Sequence, residues 1–367
     1  MNEFDICINL FLQSKAIVMK KLFILLSASF CFLNGKAQDF GQILAGSLAD
    51  ANKYATEYMR PFGEGEIYNL SRGWFSTART HKLLGFDISV NGQFAVIPTE
   101  KQSFIFRNSD YKTFSLNGTA TSANLPTFMG GTSDQVINVT NTVTVGGVPV
   151  TSTTNFTAPK GIGNDLKNNI GFLPISAPLP VAQVGIGLIK HTDLKVRYFP
   201  KTNFNDVSIG VFGVALQHEF SNYLPFIKKV PFLHLSALLG YSKIDADYKP
   251  KFDASSSVQS SDANAAFGIN AFTIQGIVSA KFALLELYTS VGYSTGKSTF
   301  DMQGTYTVRY NNGLSTTVKD PLSIAYNAGG VSNTWGIRLN LSVLKIYADY
   351  TFAKYGGAGL GLALAFR

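Results

Sequence analysis

Cysteine is almost missing from this chain. Only Cys7 and Cys31 occur, and nothing after residue 31 carries a thiol. That excludes a disulfide framework and a thiolate metal site from the rest of the sequence. Charge is sparse too, at 15% Asp, Glu, Lys and Arg, which is low for a soluble protein. No apolar run of transmembrane-helix length, about 20 residues, follows Leu33. Histidine is limited to His81, His191, His218 and His234, with no i, i+4 pair and no H-E-x-x-H. A zinc protease is thereby excluded, and no metal or cofactor is expected. The formal charge of +8 is mild and spread out. For an exported chain it favours anionic lipid headgroups over nucleic acid as partner.

What is present begins with an export signal. MKKLFILLSASFCFLNGKAQ has Lys20 and Lys21, an apolar run from Leu22 to Leu33, and small residues at Gly35 and Ala37. The pattern predicts a signal peptide over residues 1–37, cut after Ala37, with Met19 as the true start.

Two-residue alternation dominates the remainder. In TWGIRLNLSVLKIYADYTF, Trp335, Ile337, Leu339, Leu341 and Val343 oppose Gly336, Arg338, Asn340 and Ser342. Residues 84–97, 231–243, 284–294 and 360–366 repeat that rhythm, and further strands fit near 134–144, 147–157, 181–189, 193–199, 207–219 and 264–281. A soluble barrel would bury the apolar face; a membrane barrel turns it towards lipid. Loop length decides between them. The turns near 190–192, 281–285 and 343–345 are tight, whereas the connections near 158–180, 247–263 and 311–332 are long, polar and rich in Gly, Asn and Ser. Sorting of short and long connections to opposite ends is the outer-membrane pattern. The exceptions are a short connection at 355–357 and a longer one at 220–230. Trp335, Leu339 and Tyr350 are expected to face lipid, Arg338, Asn340 and Asp349 the lumen, and Tyr241, Tyr248, Tyr293 and Trp335 to form interfacial girdles.

Ahead of the strands, Leu44, Leu48, Ala51, Ala55 and Tyr58 step by three and four, a helical stripe that Pro61, Gly63 and Gly65 are expected to end. Residues 38–80 are too few for a core of their own, so they are expected to plug the barrel or cover its mouth. Tyr54, Tyr58, Arg60, Trp74, Phe75 and Arg79 are the candidates for the lining of a ligand path.

The stretches NLSRGWFSTARTHKLLGFDISV, PLPVAQVGIGLIKHTDLKVRYFP and FGVALQHEFSNYLPFIKKVPFLHLSALLGY resemble an uncharacterised outer-membrane protein family of the Bacteroidetes, over most of residues 40–367. In layout the chain is similar, more distantly, to the outer-membrane long-chain fatty-acid transporters, which implies plug helices in the lumen; no ligand-binding residue carries over. The penultimate Phe366 sets the aromatic ending typical of such barrels one residue early, and assembly by the outer-membrane insertion machinery is implied.

Other signals weigh little. The glycines of QVGIGLIK precede no helix and are expected inside the barrel; Asp245 and Asp247 are expected to be solvated rim carboxylates. SNYLPFIKKVPF, 221–232, reads either as an amphipathic turn on the headgroups or as a cover for the barrel mouth. The expectation is an all-β, transmembrane antiparallel β-barrel of 14 strands over 81–367, with a short helical N-terminal plug. Twelve strands result if 103–118 belongs to a loop. The expected function is non-enzymatic: passive transport of a small apolar compound across the outer membrane of a Gram-negative bacterium, among outer-membrane lipids and lipopolysaccharide. The alternative is a sealed structural or interaction barrel that docks a protein partner through its loops.

Overall fold

The computed structural model describes residues 42–366 except 146, 172, 205 and 253–255. The signal peptide, the Met19 start and both cysteines lie outside the described residues. Ten strands close into an antiparallel barrel: β1 (Phe86–Val96), β2 (Ser176–Leu188), β3 (Thr192–Phe204), β4 (Val207–Glu219), β5 (Leu233–Tyr248), β6 (Asn264–Phe282), β7 (Leu285–Gln303), β8 (Leu322–Leu341), β9 (Leu344–Phe352) and β10 (Gly357–Phe366). Each strand pairs with its successor in the chain, and β1 closes the ring against β10, Phe86 opposite Phe366. Closure pairs every edge, which is what a sheet in hydrocarbon needs.

The barrel of ten strands replaces the expected 14 or 12. Val136–Val145 and Val148–Thr157 do form a hairpin, but it pairs with Phe114–Leu116 outside the barrel. Ser103–Arg107 pairs with Ser122–Pro126 in another small sheet. The apolar face of the hairpin, with Ile137, Val139 and Phe156, is buried in the core of the loop end instead of turning to lipid, so the hairpin stays in the 97–175 connection between β1 and β2. One end of the barrel carries that connection together with 249–263 and 304–321; we call it the loop end. The other, the turn end, has two-residue turns at 283–284 and 342–343, in which Ala283 and Ser342 hold positive φ. The two expected exceptions to this sorting stand, at 353–356 and at 220–232.

Polarity along the longer strands changes phase partway. On β5 the outward positions Leu239 and Tyr241 are apolar and the inward Ser236 and Ser242 polar. Above Lys243 the inward positions become Ile244, Ala246 and Tyr248, while Asp245 and Asp247 turn outward. On β4, inward Val207, Ile209 and Val211 give way to Gly213, Ala215 and Gln217, and outward Ser208 to Phe212, Val214 and Leu216. On β7 the outward Leu287, Val291 and Tyr293 are followed by Lys297 and Asp301 as inward Phe300 and Met302 appear. The turn half is thus apolar outside and polar inside, and the loop half is the reverse, like a soluble protein. Tyr248 accordingly points inward, not into a girdle as expected; Trp335, Tyr293, Tyr241 and Tyr350 are exposed on the outer face. Among the described residues no helix is long and apolar enough to cross a membrane.

Candidate functional site

One long helix, α1 (Leu48–Ser71), enters the barrel from the loop end. Ser47 caps it, accepting from the Asp50 amide at 3.2 Å, and Asp50 in turn accepts from the amides of Lys112 and Thr113 in the β1–β2 connection. The helix touches β1, β2, β5, β6, β7 and β8, so it lies within the ring. Pro61, Gly63 and Gly65 do not end it, contrary to expectation. Enclosure by the wall outweighs their poor propensity. The glycines allow close approach: a Cβ on Gly63 would sit 2.7 Å from Ser298 Oγ, and one on Gly65 3.2 Å from Ile97.

Below the helix, residues 72–82 run through the polar half towards the turn end, bonded to the wall at nearly every step. Arg197 on β3 donates to the carbonyls of Leu70 (3.0 Å) and Arg72 (2.6 Å), and its guanidinium lies 3.5 Å from the Trp74 ring centroid. A fixed cation at a helix C-terminus satisfies orphan carbonyls and complements the macrodipole. Lys195 donates to the Trp74 carbonyl at 2.9 Å, Arg338 to Ser76 Oγ at 3.0 Å, and Gln217 to the Thr77 carbonyl at 2.9 Å. The Ala78 amide donates to Ser279 Oγ at 3.0 Å, and Thr77 bonds Glu286. At the mouth Glu219 accepts from the Thr80 amide (2.9 Å) and meets His234 Nδ1 (2.7 Å); Asp193 accepts from the His81 amide and meets its Nδ1, both at 2.9 Å. His218 Nδ1 lies 2.9 Å from Thr192 Oγ1. Each of these histidines meets a carboxylate or hydroxyl of the barrel wall. Of the residues expected to face the lumen, Arg338 donates to Ser76 Oγ, and Asp349 accepts from the Tyr288 hydroxyl at 2.8 Å.

Beside α1 in the loop half lies a cavity of about 40 Å³. Phe62 and Glu66 of the helix, Phe128 and Ile162 of the β1–β2 connection, Ile244 on β5 and Phe267 on β6 border it. Every lining side chain but Glu66 is apolar. Glu66 is 4% exposed, accepts one long hydrogen bond from Asn69 Nδ2 at 3.4 Å, and forms no ion pair among the described residues. Burial pushes its carboxyl, which belongs to the inner helix and not to a spanning strand, up to about 8. A second, polar space of about 10 Å³ lies lower, between Arg72, Asp349, Ser294, Ser332 and Thr334.

None of the six expected lining residues borders the apolar cavity. Tyr54 sits above it among Phe104, Phe106, Phe114 and Phe156. Tyr58 stacks edge-on to Phe128 and donates to the Lys160 carbonyl at 2.7 Å. Arg60 pairs with Glu57 and lies over Tyr326; Trp74 is held under Arg197; Phe75 meets Tyr288 and borders the small polar space; Arg79 follows Thr77 on the tail. Phe62 and Glu66, which do border the cavity, continue the step of four from Tyr58. Reading Pro61 as a helix end hid them. Among the described residues no cluster of metal-ligating groups occurs; Asp245 and Asp247 pair with Lys243 and Lys201 at the rim. The 221–232 segment forms two short helical turns at the turn end, with Ile227 buried and Tyr223 and Phe226 exposed.

Solved structures similar to the chain are barrels with low scores. The Ail protein of Yersinia pestis is 10% identical, with 78% of this chain and 100% of that one covered and a TM-score of 0.25. The outer-membrane transporter YddB of Escherichia coli is 10% identical over 77% of this chain and 41% of that one, with a TM-score of 0.27. The translocator domain of the autotransporter NalP of Neisseria meningitidis is 9% identical over 86% and 97%, with a TM-score of 0.25. At those scores no residue or role transfers. No curated protein matches the sequence. Residues 19–366 match the model of a family of unknown function, DUF6588, and the chain belongs to that family.

Proposed function

We propose that the protein is an outer-membrane β-barrel that takes a small apolar compound into the cavity beside α1 and lets it pass inward passively. The apolar belt of the turn half and the sorting of loops support the outer-membrane placement, with the loop end outside and the turn end in the periplasm of a Gram-negative cell. The single observation that carries the ligand reading is the cavity beside α1, apolar on every side but one, within the water-facing loop half. In this reading α1 is the plug, and the 72–82 tail must leave the wall for the compound to move on. The helix within a barrel agrees with the layout of the fatty-acid transporters and with a Bacteroidetes outer-membrane family. Outer-membrane lipids and lipopolysaccharide surround the belt, and the insertion machinery is engaged through the final strand. No enzymatic step is assigned.

A second reading, a sealed scaffold that docks a protein partner through its loops, is favoured by the density of bonds between the tail and the wall. Mass spectrometry of small molecules released from detergent-purified protein separates the two. A stoichiometric apolar compound that disappears in Ala246→Phe, which fills the cavity, supports transport. An empty wild-type barrel that also conducts no ions in a planar bilayer supports the scaffold.

A further inference from the structure

We infer that the compound accepted by the cavity is an amine, an apolar body carrying an ammonium group, and that Glu66 is the residue that selects it. The inference rests on the ligand reading above and names the class within it. Glu66 is the one titratable side chain on a wall otherwise built of Phe, Met, Ile, Leu, Ala and Pro. A carboxylate withdrawn from water without a cation is costly, by several kcal/mol for an uncompensated charge. Asn69 and the charge of Arg72 relieve that cost only in part, because burial still outweighs them. The Asn69 contact is long, and Asn69 spends its amide more firmly on the Ala177 carbonyl at 2.8 Å. Arg72, the nearest helix cation, is engaged with the Tyr355 carbonyl and lines the polar space below, not the apolar cavity.

An unpaired buried carboxyl on an apolar wall is an incomplete ion pair. The missing half must be small enough to enter, apolar enough to fill the cavity and able to donate to an oxygen. An ammonium on a short hydrocarbon meets all three conditions. Phe62, Phe128 and Phe267 around the same space add ring faces that attract a cation. An alcohol would fill the cavity but form only a neutral hydrogen bond, and a carboxylate would set two acids against each other. Because burial keeps Glu66 protonated up to about 8, entry of an ammonium at neutral pH expels the carboxyl proton to solvent.

The test uses the whole protein in mild detergent and three one-carbon probes small enough for a cavity of about 40 Å³: methylamine, methanol and formate. Calorimetric titration at pH 7 should give the amine an affinity about tenfold above the alcohol's, with formate weakest, as expected when a neutral hydrogen bond becomes a charge-assisted one. Titration in two buffers of different ionisation heat should show proton release with the amine alone. Glu66→Gln, equal in size and uncharged, should bind the alcohol as before, lose the amine's advantage and release no proton. Equal affinities for amine and alcohol, tightest binding of formate, or an amine preference that survives Glu66→Gln would overturn the assignment to amines while leaving an apolar site standing. If none of the three binds, the ligand reading itself falls, and the amine inference with it.

Discussion

Glu66 and Arg197 are two buried charges handled in opposite ways. Arg197 is fully buried, yet its donors reach two backbone carbonyls and Gln183, and its face stacks on Trp74. Removing it leaves the end of α1 uncapped, so Arg197→Ala should destabilise the protein by about 3 kcal/mol, read from denaturant unfolding in detergent. A cost within about 0.5 kcal/mol would mean that the stack and cap contribute little. Glu66 lacks such compensation. Its raised pKa means that the folded state holds a proton that the unfolded chain loses near 4.5. Its contribution to stability is therefore whole below about 4.5 and is lost as the pH rises through about 8. Glu66→Gln should leave the melting temperature unchanged at pH 4 and raise it by several degrees at pH 9. A gain that does not grow with pH would show that the carboxyl is paired.

The informative element is the tail, residues 72–82. It has no regular structure, and wall side chains supply the hydrogen-bond partners for much of its backbone. Two carboxylates, Asp193 and Glu219, hold Thr80 and His81 at the turn-end mouth. The double change Asp193→Asn with Glu219→Gln weakens those charge-assisted bonds without altering size. It should raise single-channel conductance in planar bilayers from near zero to resolvable events, and leave heat-modifiable gel mobility intact. Silence in that variant would place the seal elsewhere, at α1 itself.

At the scale of the molecule, the change of phase along the strands divides the barrel into a half that faces lipid and a half that faces water. A charge scan down one strand checks the boundary. On β7, Val291→Arg should cost about 2–4 kcal/mol and impair insertion, because that position faces hydrocarbon. Thr299→Arg, two positions beyond Lys297 on the same face, should cost about 0–1 kcal/mol. Equal penalties would mean that the belt extends to the loop end. The cavity lies above the boundary, so a compound can reach it from water without first crossing the membrane.

Alternation and loop lengths in the sequence were enough to establish strands, their faces and the membrane-barrel class, because side chains on a strand have no choice but to alternate. Trp335 against Arg338 was legible for that reason. The strand number was not. The Val136–Thr157 hairpin alternates as well as a spanning one, and only its partner, Phe114–Leu116, puts it outside the ring. The helix was legible as far as Tyr58, where local propensity at Pro61, Gly63 and Gly65 pointed to an end. Enclosure by the barrel, which no local stretch encodes, carried it on to Ser71 and brought Glu66 to the cavity. The sequence determined what each strand could face; contacts between residues far apart in the chain decided which segments closed the ring and which charge was left without a partner.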